Sequence, residues 1–364
     1  MIRGAVLAAA LWIAPAVAPA VALAAEGRLR VAVFDVELRR DGPGLLLRDI
    51  QRNDPQVSAA VEIISAVKPD ILALLSFDWD YDGAALAALT DRLAAQGQSY
   101  PYVFSARPNS GLASPLDLDG DGRSGGPGDA QGFGAFTGQN GLAVLSVHPI
   151  LDDEVSDFSP LLWRDLPGAL LPKHPDGRPF PSEAAQAAQR LSSTTHWVVP
   201  VALPGGETVS ILTFHATPPV FDGAEDRNGR RNHDEVVFWR HYLDGAFGPV
   251  PERFVLAGGA NLDPFDSDGR LDAIRTLLAD PRLVDTAPES PGGRAGAAQS
   301  HQGPAAQDTV DWGFGRFRVD YVLPSANWRV LDSGVVWPDS GAPLAEAAQT
   351  ASRHGLVWVD LALP

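Results

Sequence analysis

The sequence predicts a layered α/β fold, with two sheets packed face to face between outer helices. Three observations predict it. The chain opens as strand, helix, strand, helix. Further strand-like apolar segments follow, separated by helices and by long Gly/Pro-rich loops. No repeat and no linker divides the 364 residues.

The elements follow in order. Leu29 to Val36 alternates and is β-branched, as a strand requires. Asp54-Pro55 opens a helix that carries apolar Val57, Ala60, Val61, Ile64 and Val67, and Lys68-Pro69-Asp70 ends it. Ile71 to Leu75 reads as a buried strand and Ala84 to Ala95 as a second helix. Residues 105–141 are irregular, Gly141 to Ser146 is a strand, and a Pro-rich excursion fills roughly 150–190. Strands are expected at His196 to Leu203, Val209 to Phe214, Phe254 to Ala257, Phe317 to Leu323 and Leu356 to Leu361. A helix is expected over Asp234 to Leu243, and residues 286–310 read as a surface loop.

Residues 1–25 are expected to be a cleaved export signal, with one charge, Arg3, before an Ala/Val/Leu-rich run broken by Pro15 and Pro19. The mature domain is then 26–364, periplasmic or extracellular. Elsewhere no apolar run approaches the roughly 20 residues of a membrane span, so stable membrane insertion is not expected. The absence of cysteine excludes disulfides, thiolate metal sites and a cysteine nucleophile. The fold must stand on its apolar core. Net charge is −17, and loss of Arg3 with the signal makes it −18. That disfavours nucleic acid as a partner, because binding a polyanion calls for a basic footprint. The sequence does not fix an oligomeric state.

Two polar clusters stand out. Asp117-Leu118-Asp119-Gly120-Asp121-Gly122-Arg123 matches the first half of an EF-hand-type loop, with acids at positions 1, 3 and 5, Gly at 6 and a carbonyl at 7. Gly128 stands at position 12, where a bidentate Glu belongs, and Asp129 follows it. Calcium on Asp117, Asp119, Asp121, the Arg123 carbonyl and Asp129 is the expectation, against a solvated acidic loop. Between Asp222 and Glu235, Arg227, Arg230 and Arg231 form either a salt-bridged helix cap or an anion clamp suited to phosphate.

Six segments, in order, resemble the endonuclease/exonuclease/phosphatase superfamily of deoxyribonuclease I-like fold, in an exported bacterial branch. They are Val31 to Val36, Pro69 to Ser76, Leu212 to His215, Leu256 to Pro264, Arg318 to Ser325, and Ser352-Arg353-His354 before Leu356 to Asp360. The resemblance implies a four-layer α/β/β/α sandwich and metal-dependent phosphoester hydrolysis. Magnesium or manganese would polarise the phosphoester, an Asp–Asn pair would activate water, and an Asp-supported His would contact phosphoryl oxygens.

Carried over position by position, the resemblance retains His215, Asn261, Asp320 and His354. Asp320 would support His354. Asp35 replaces an Asn, Ser76 the metal-binding Glu, Gly259 the general-base Asp, and Arg353 the penultimate Asp. Neither Ser76 nor Gly259 can offer a hard cation the charge that offsets its dehydration. Loss of a general base costs about 10²–10⁴-fold. The expectation is an impaired or inactive phosphoesterase relative that retains phosphate or calcium binding. Two alternatives stay open. One is an active phosphodiesterase or phosphatase with a metal rebuilt on Asp35 and Asp78. The other is a calcium-stabilised interaction module without chemistry. Arg353 could also bind phosphate directly. The ligand class is a phosphorylated small molecule or a phosphodiester.

Overall fold

A computed structural model describes residues 27–296 and 301–363. The expected export signal, 1–25, lies outside the described residues. Strands β1 (Arg28–Leu38), β2 (Ile71–Phe77), β3 (Tyr102–Phe104) and β4 (Gly141–Ser146) belong to a six-stranded sheet. The next four are β5 (Ser156–Asp157), β6 (His196–Ala202), β7 (Thr208–Phe214) and β8 (Phe254–Gly259), all in a five-stranded sheet. After them come the short pair β9 (Val310–Asp311) and β10 (Arg316–Phe317), then β11 (Asp320–Pro324), β12 (Val330–Val336) and β13 (Leu356–Ala362). The sheet orders are β12-β13-β1-β2-β4-β3 and β11-β8-β7-β6-β5. Both sheets are mixed: β1/β2 and β7/β8 are parallel and the other pairs antiparallel.

The helices are α1 (Leu45–Gln51), α2 (Pro55–Val67), α3 (Ala84–Ala95), α4 (Glu183–Ala188), α5 (Arg227–Leu243), α6 (Asp272–Leu278), α7 (Pro291–Ala295) and α8 (Ala345–Ala351). Period-2 alternation sorts the strands into layers. Val31 and Val33 of β1, with Ile71, Ala73 and Leu75 of β2, meet Val199, Val209, Ile211, Val255 and Val322 of the other sheet. The opposite faces, Ala32, Phe34, Leu72 and Leu74, pack under α1, α2, α3 and α8. Leu212, Phe214, Leu256 and Tyr321 pack under α5 and α6. The result is the expected four-layer sandwich. Asp54 caps α2 by accepting from Gln56 N and Val57 N, with Pro55 in its first turn.

Several expectations are corrected. Helix α5 begins at Arg227, seven residues before Asp234, because its polar first turns are buried through hydrogen bonds, not apolar contact. The strand expected from Phe317 is interrupted, since Arg316 and Phe317 pair with β9 and the longer strand starts at Asp320. Helices α1, α6 and α8 and strand β12 were not expected. Residues 286–310 are not a plain surface loop, for they contain α7 and bury Ser290, Asp308 and Thr309.

Candidate active site

Parallel strand pairs in both sheets end on the same side, and the family positions gather there. Asp35 keeps the parity of Val31 and Val33, so it faces the space between the sheets. The ladder between β1 and β2 then slips between Asp35 and Leu38. Glu37 (φ 48) and Ser76 (φ 55) sit at that irregularity in the left-handed region, as does Asn261 (φ 49) beyond β8. His215, just past the end of β7, bridges to Gly259, the last residue of β8. Asp320 opens β11, and His354 precedes β13 and bridges to Val310.

These residues form one buried network. His354 Nδ1 lies 2.8 Å from Asp320 Oδ2, which also accepts from Thr309 Oγ1 at 2.8 Å. His354 Nε2 faces Asp35 Oδ2 at 3.8 Å and His215 Nε2 faces the same oxygen at 3.4 Å. The Asn261 amide donates to Ala216 O at 2.8 Å and to His215 Nε2 at 3.0 Å. On this geometry the proton of neutral His215 lies on Nδ1, which is buried without a partner.

Charge is distributed unequally. Burial alone would lower the His354 imidazole, but Asp320 and Asp35 outweigh it and push it up to about 9. Burial holds His215 below its ordinary value, despite Asp35 and Asp320. Burial would raise Asp35, yet His354, His215 and the Ser76 hydroxyl hold it below the usual carboxylate range. At neutral pH the pocket contains a protonated His354, a neutral His215 and an ionised Asp35.

The replaced positions are also occupied by defined contacts. The Arg353 guanidinium lies on Glu37, with Nε 3.0 Å from Oε1 and the backbone N 3.0 Å from Oε2. It is half-exposed and paired there. A side chain on Gly259 would begin 2.9 Å from His215 Cδ2, so the ring leans into the space a base would need. Asp78 does not join Asp35. Its oxygens accept from Arg40 N at 2.7 Å and Asn140 N at 2.9 Å, and burial pushes it up to about 6. Among the described residues, the acidic group around Asp35 is completed by Asp320 and His354, not by the Asp78 of the alternative reading.

Asp35, Asp320 and His354 offer atoms within 4.8 Å of one another, close enough to share an ion. Without a cation the three donors satisfy one another. His354 Nδ1 is bound to Asp320, its other nitrogen is protonated at neutral pH, and that imidazolium already balances the neighbouring carboxylates. In the 117–129 loop, oxygens of Asp117, Asp119 and Asp129 also lie within 4.8 Å. Backbone amides of Gly120 and Gly122 bond Asp117, and those of Leu118 and Gly126 bond Asp129. Asp121 is outside that group and accepts from Arg123 N.

The arginine cluster points inward. Arg227 donates to Leu118 O, and Arg230 to Glu225 O at 3.1 Å. Buried Arg231 donates to Leu191 O, Arg190 O, Ser192 O and Gln131 O. Arg227 and Arg231 thus act as ties between loops and α5, and Arg230 bonds through Nε alone. Sequence reasoning missed three residues that shape the site. Glu37 anchors Arg353, Thr309 bonds Asp320, and Asn232 of α5 donates to Thr217 O and Ala260 O behind His215 and Asn261. Only Glu37 had a signal, being two residues from Asp35 on one strand.

The sequence model of the endonuclease/exonuclease/phosphatase family matches residues 38–354. A solved endonuclease/exonuclease/phosphatase from Beutenbergia cavernae is similar at 20% identity, over 92% of this chain and 72% of that one, with a TM-score of 0.53. A family protein from Leptotrichia buccalis is similar at 13% identity, over 92% and 100% of the chains, with a TM-score of 0.52. At those identities the likeness speaks for the fold. No curated protein matches the chain.

Proposed function

Because this chain belongs to the endonuclease/exonuclease/phosphatase family, we propose that it is an exported phosphoester-hydrolase relative whose pocket no longer performs metal-dependent hydrolysis. Asp35 carries this reading. Its carboxylate lies 3.4 Å from His215 and 3.8 Å from His354, the two side chains that would meet a phosphoryl group. An anion of the protein's own thus stands where a substrate anion would be received. Ser76 and Gly259 supply neither cation charge nor a base. Any remaining affinity is for a small phosphorylated ligand reached by His354 and Asn261, and Asp35 opposes it. Calcium at Asp117, Asp119 and Asp129 would brace the loop that Arg227 ties to α5, a structural role independent of turnover.

Hydrolysis of an aryl phosphomonoester and an aryl phosphodiester with magnesium, manganese or calcium, against an EDTA blank, tests the reading. No metal-dependent rate above the blank is expected. A variant carrying Ser76→Glu, Gly259→Asp and Arg353→Asp tests whether the scaffold still accepts the chemistry, with the His215 ring swinging aside for the new Asp. Turnover by the unmodified protein that needs metal and vanishes in Asp35→Ala would establish the rebuilt-site alternative instead.

A further inference from the structure

A second knot of ionisable side chains lies outside the pocket, where the segment 301–308 packs against the loop between β8 and α6. The ring of His301 stands between two carboxylates there. Its Nδ1 lies 3.4 Å from Asp266 Oδ2 and its Nε2 lies 3.5 Å from Asp308 Oδ1, and all three side chains are almost fully buried. A neutral imidazole has one N–H and can donate to one acid, whereas the imidazolium donates to both. Among the described residues no other donor bonds the Asp308 carboxyl. Its Oδ2 is buried without a hydrogen-bond partner, as is His301 Nε2. Such atoms are costly to leave unpaired.

The other charged groups facing Asp308 do not take the place of His301. Asp263 and Asp266 are themselves acids, and Arg316 is paired with Asp311. Arg318 lines the same narrow space but directs its guanidinium to Asp285 and Gln307. Asp263 accepts from the backbone N of Phe265, Asp266 and Arg318, and Asp266 from those of Gln302 and Gly303. Burial outweighs the pull of His301 and, with Asp263 and Asp266 beside it, pushes Asp308 up to about 7. A carboxyl whose folded value lies above its ordinary 3.8 stabilises the docked segment below that value, and the contribution is lost as pH rises to about 7. The next residue is Thr309. Its hydroxyl donates to Asp320 Oδ2 at 2.8 Å and accepts from Val319 N and Asp320 N, each at 3.1 Å. Asp320 in turn holds His354.

We propose that Asp266, His301 and Asp308 form a clasp closed by proton uptake, which docks the segment 301–308 on the loop after β8 and, through Thr309, sets how firmly Asp320 and His354 are held. With the proton, His301 donates to both acids. Without it, two buried carboxylates face a ring that carries a single N–H, and the segment loosens. The clasp does not depend on whether the pocket hydrolyses anything.

Hydrogen exchange read by mass spectrometry tests it, using the chain from Glu26 onward, which holds every described element. Labelling runs from pH 5 to 8, with times scaled for the intrinsic pH dependence of amide exchange. Protection over residues 301–309 should fall by about tenfold or more between pH 5 and 7.5, since one proton released on opening is worth a factor of about ten per pH unit. The stretch carrying Val319 and Asp320 should follow, and α2, in the far helical layer, should not. His301→Gln keeps a donor but cannot take a charge, and Asp308→Asn cannot ionise, so each should flatten the profile. The two variants test the clasp separately, so a failure of Asp308→Asn to fold leaves His301→Gln to decide. Four results would overturn the proposal: a flat profile in the unmodified protein, a slope that persists in His301→Gln, tightening as pH rises, or a slope over 301–309 that does not reach Val319 and Asp320.

Discussion

On the resemblance read from the sequence, the two walls of the pocket depart from the family pattern to different degrees. The five-stranded sheet and its loops contribute His215, Asn261 and Asp320 as the family pattern has them, with Gly259 the one departure. The six-stranded sheet and its loops contribute Asp35, Ser76 and Arg353, all departures, and retain only His354. The altered wall is not simply depleted. Its charges have found new partners, Arg353 on Glu37 and Asp35 beside His354. Buried charges left unpaired are costly, so the substitutions make sense as a set. Restoring one carboxylate alone would strand another charge.

The comparison breaks most visibly at Asp320. Asp320→Ala removes the fixed partner of a buried imidazolium on the retained wall and should cost about 3–5 kcal/mol by urea denaturation. A cost below 1 kcal/mol would show that the His354–Asp320 pair is not what holds that wall. Next in size is a pH effect. The folded value of His354 lies above its ordinary 6.5, at about 9. Its stabilisation is therefore complete below about 6.5 and lost as pH rises through 9, on the order of 3 kcal/mol. Asp35 has the opposite sign. Its folded value is lowered, so its contribution holds above the ordinary carboxylate range and is lost on acidification. Stability measured from pH 2 to 10 should fall at both ends, the acid loss setting in below about pH 4.

Asp35→Asn restores the amide that the resemblance expects and takes one of three anions, Asp320, Asp35 and Glu37, from His354. The imidazole should then titrate below 9 by NMR, with a stability cost of about 1–2 kcal/mol. An unmoved His354 would place its charge under Asp320 and Glu37 without Asp35. The smallest effect belongs to Glu37 and Arg353, since the guanidinium is half-exposed. A double-mutant cycle of Glu37→Gln and Arg353→Ala should return a coupling under about 1 kcal/mol. A larger value would make this pair a true anchor of the altered wall.

Much of this was legible beforehand, for identifiable reasons. The core strands announce themselves because alternation is set by burial on two faces, as in Val31, Ala32, Val33 and Phe34. The family positions sit beside those strands and came with them. What stayed hidden was held by polar contacts between distant segments. The start of α5 reads as a charged loop, Arg-Asn-Gly-Arg-Arg-Asn-His, because Arg231 and Asn232 are buried by donating to carbonyls far away in sequence. Thr309 gives no local sign that its hydroxyl reaches Asp320. The arginines left a helix cap and an anion clamp both open for the same reason: sequence shows a donor but not its acceptor.

Arg231 also governs how the chain comes apart. One guanidinium holds carbonyls from residue 131 and from residues 190–192, while Arg227 on the same helix holds Leu118 O. Two long irregular stretches are thereby moored to α5. Segments of that length are where proteases ordinarily nick a folded chain. Here their susceptibility should track the unravelling of α5, so that cleavage in the 105–140 and 150–190 stretches sets in together and hydrogen exchange across all three proceeds as one cooperative unit.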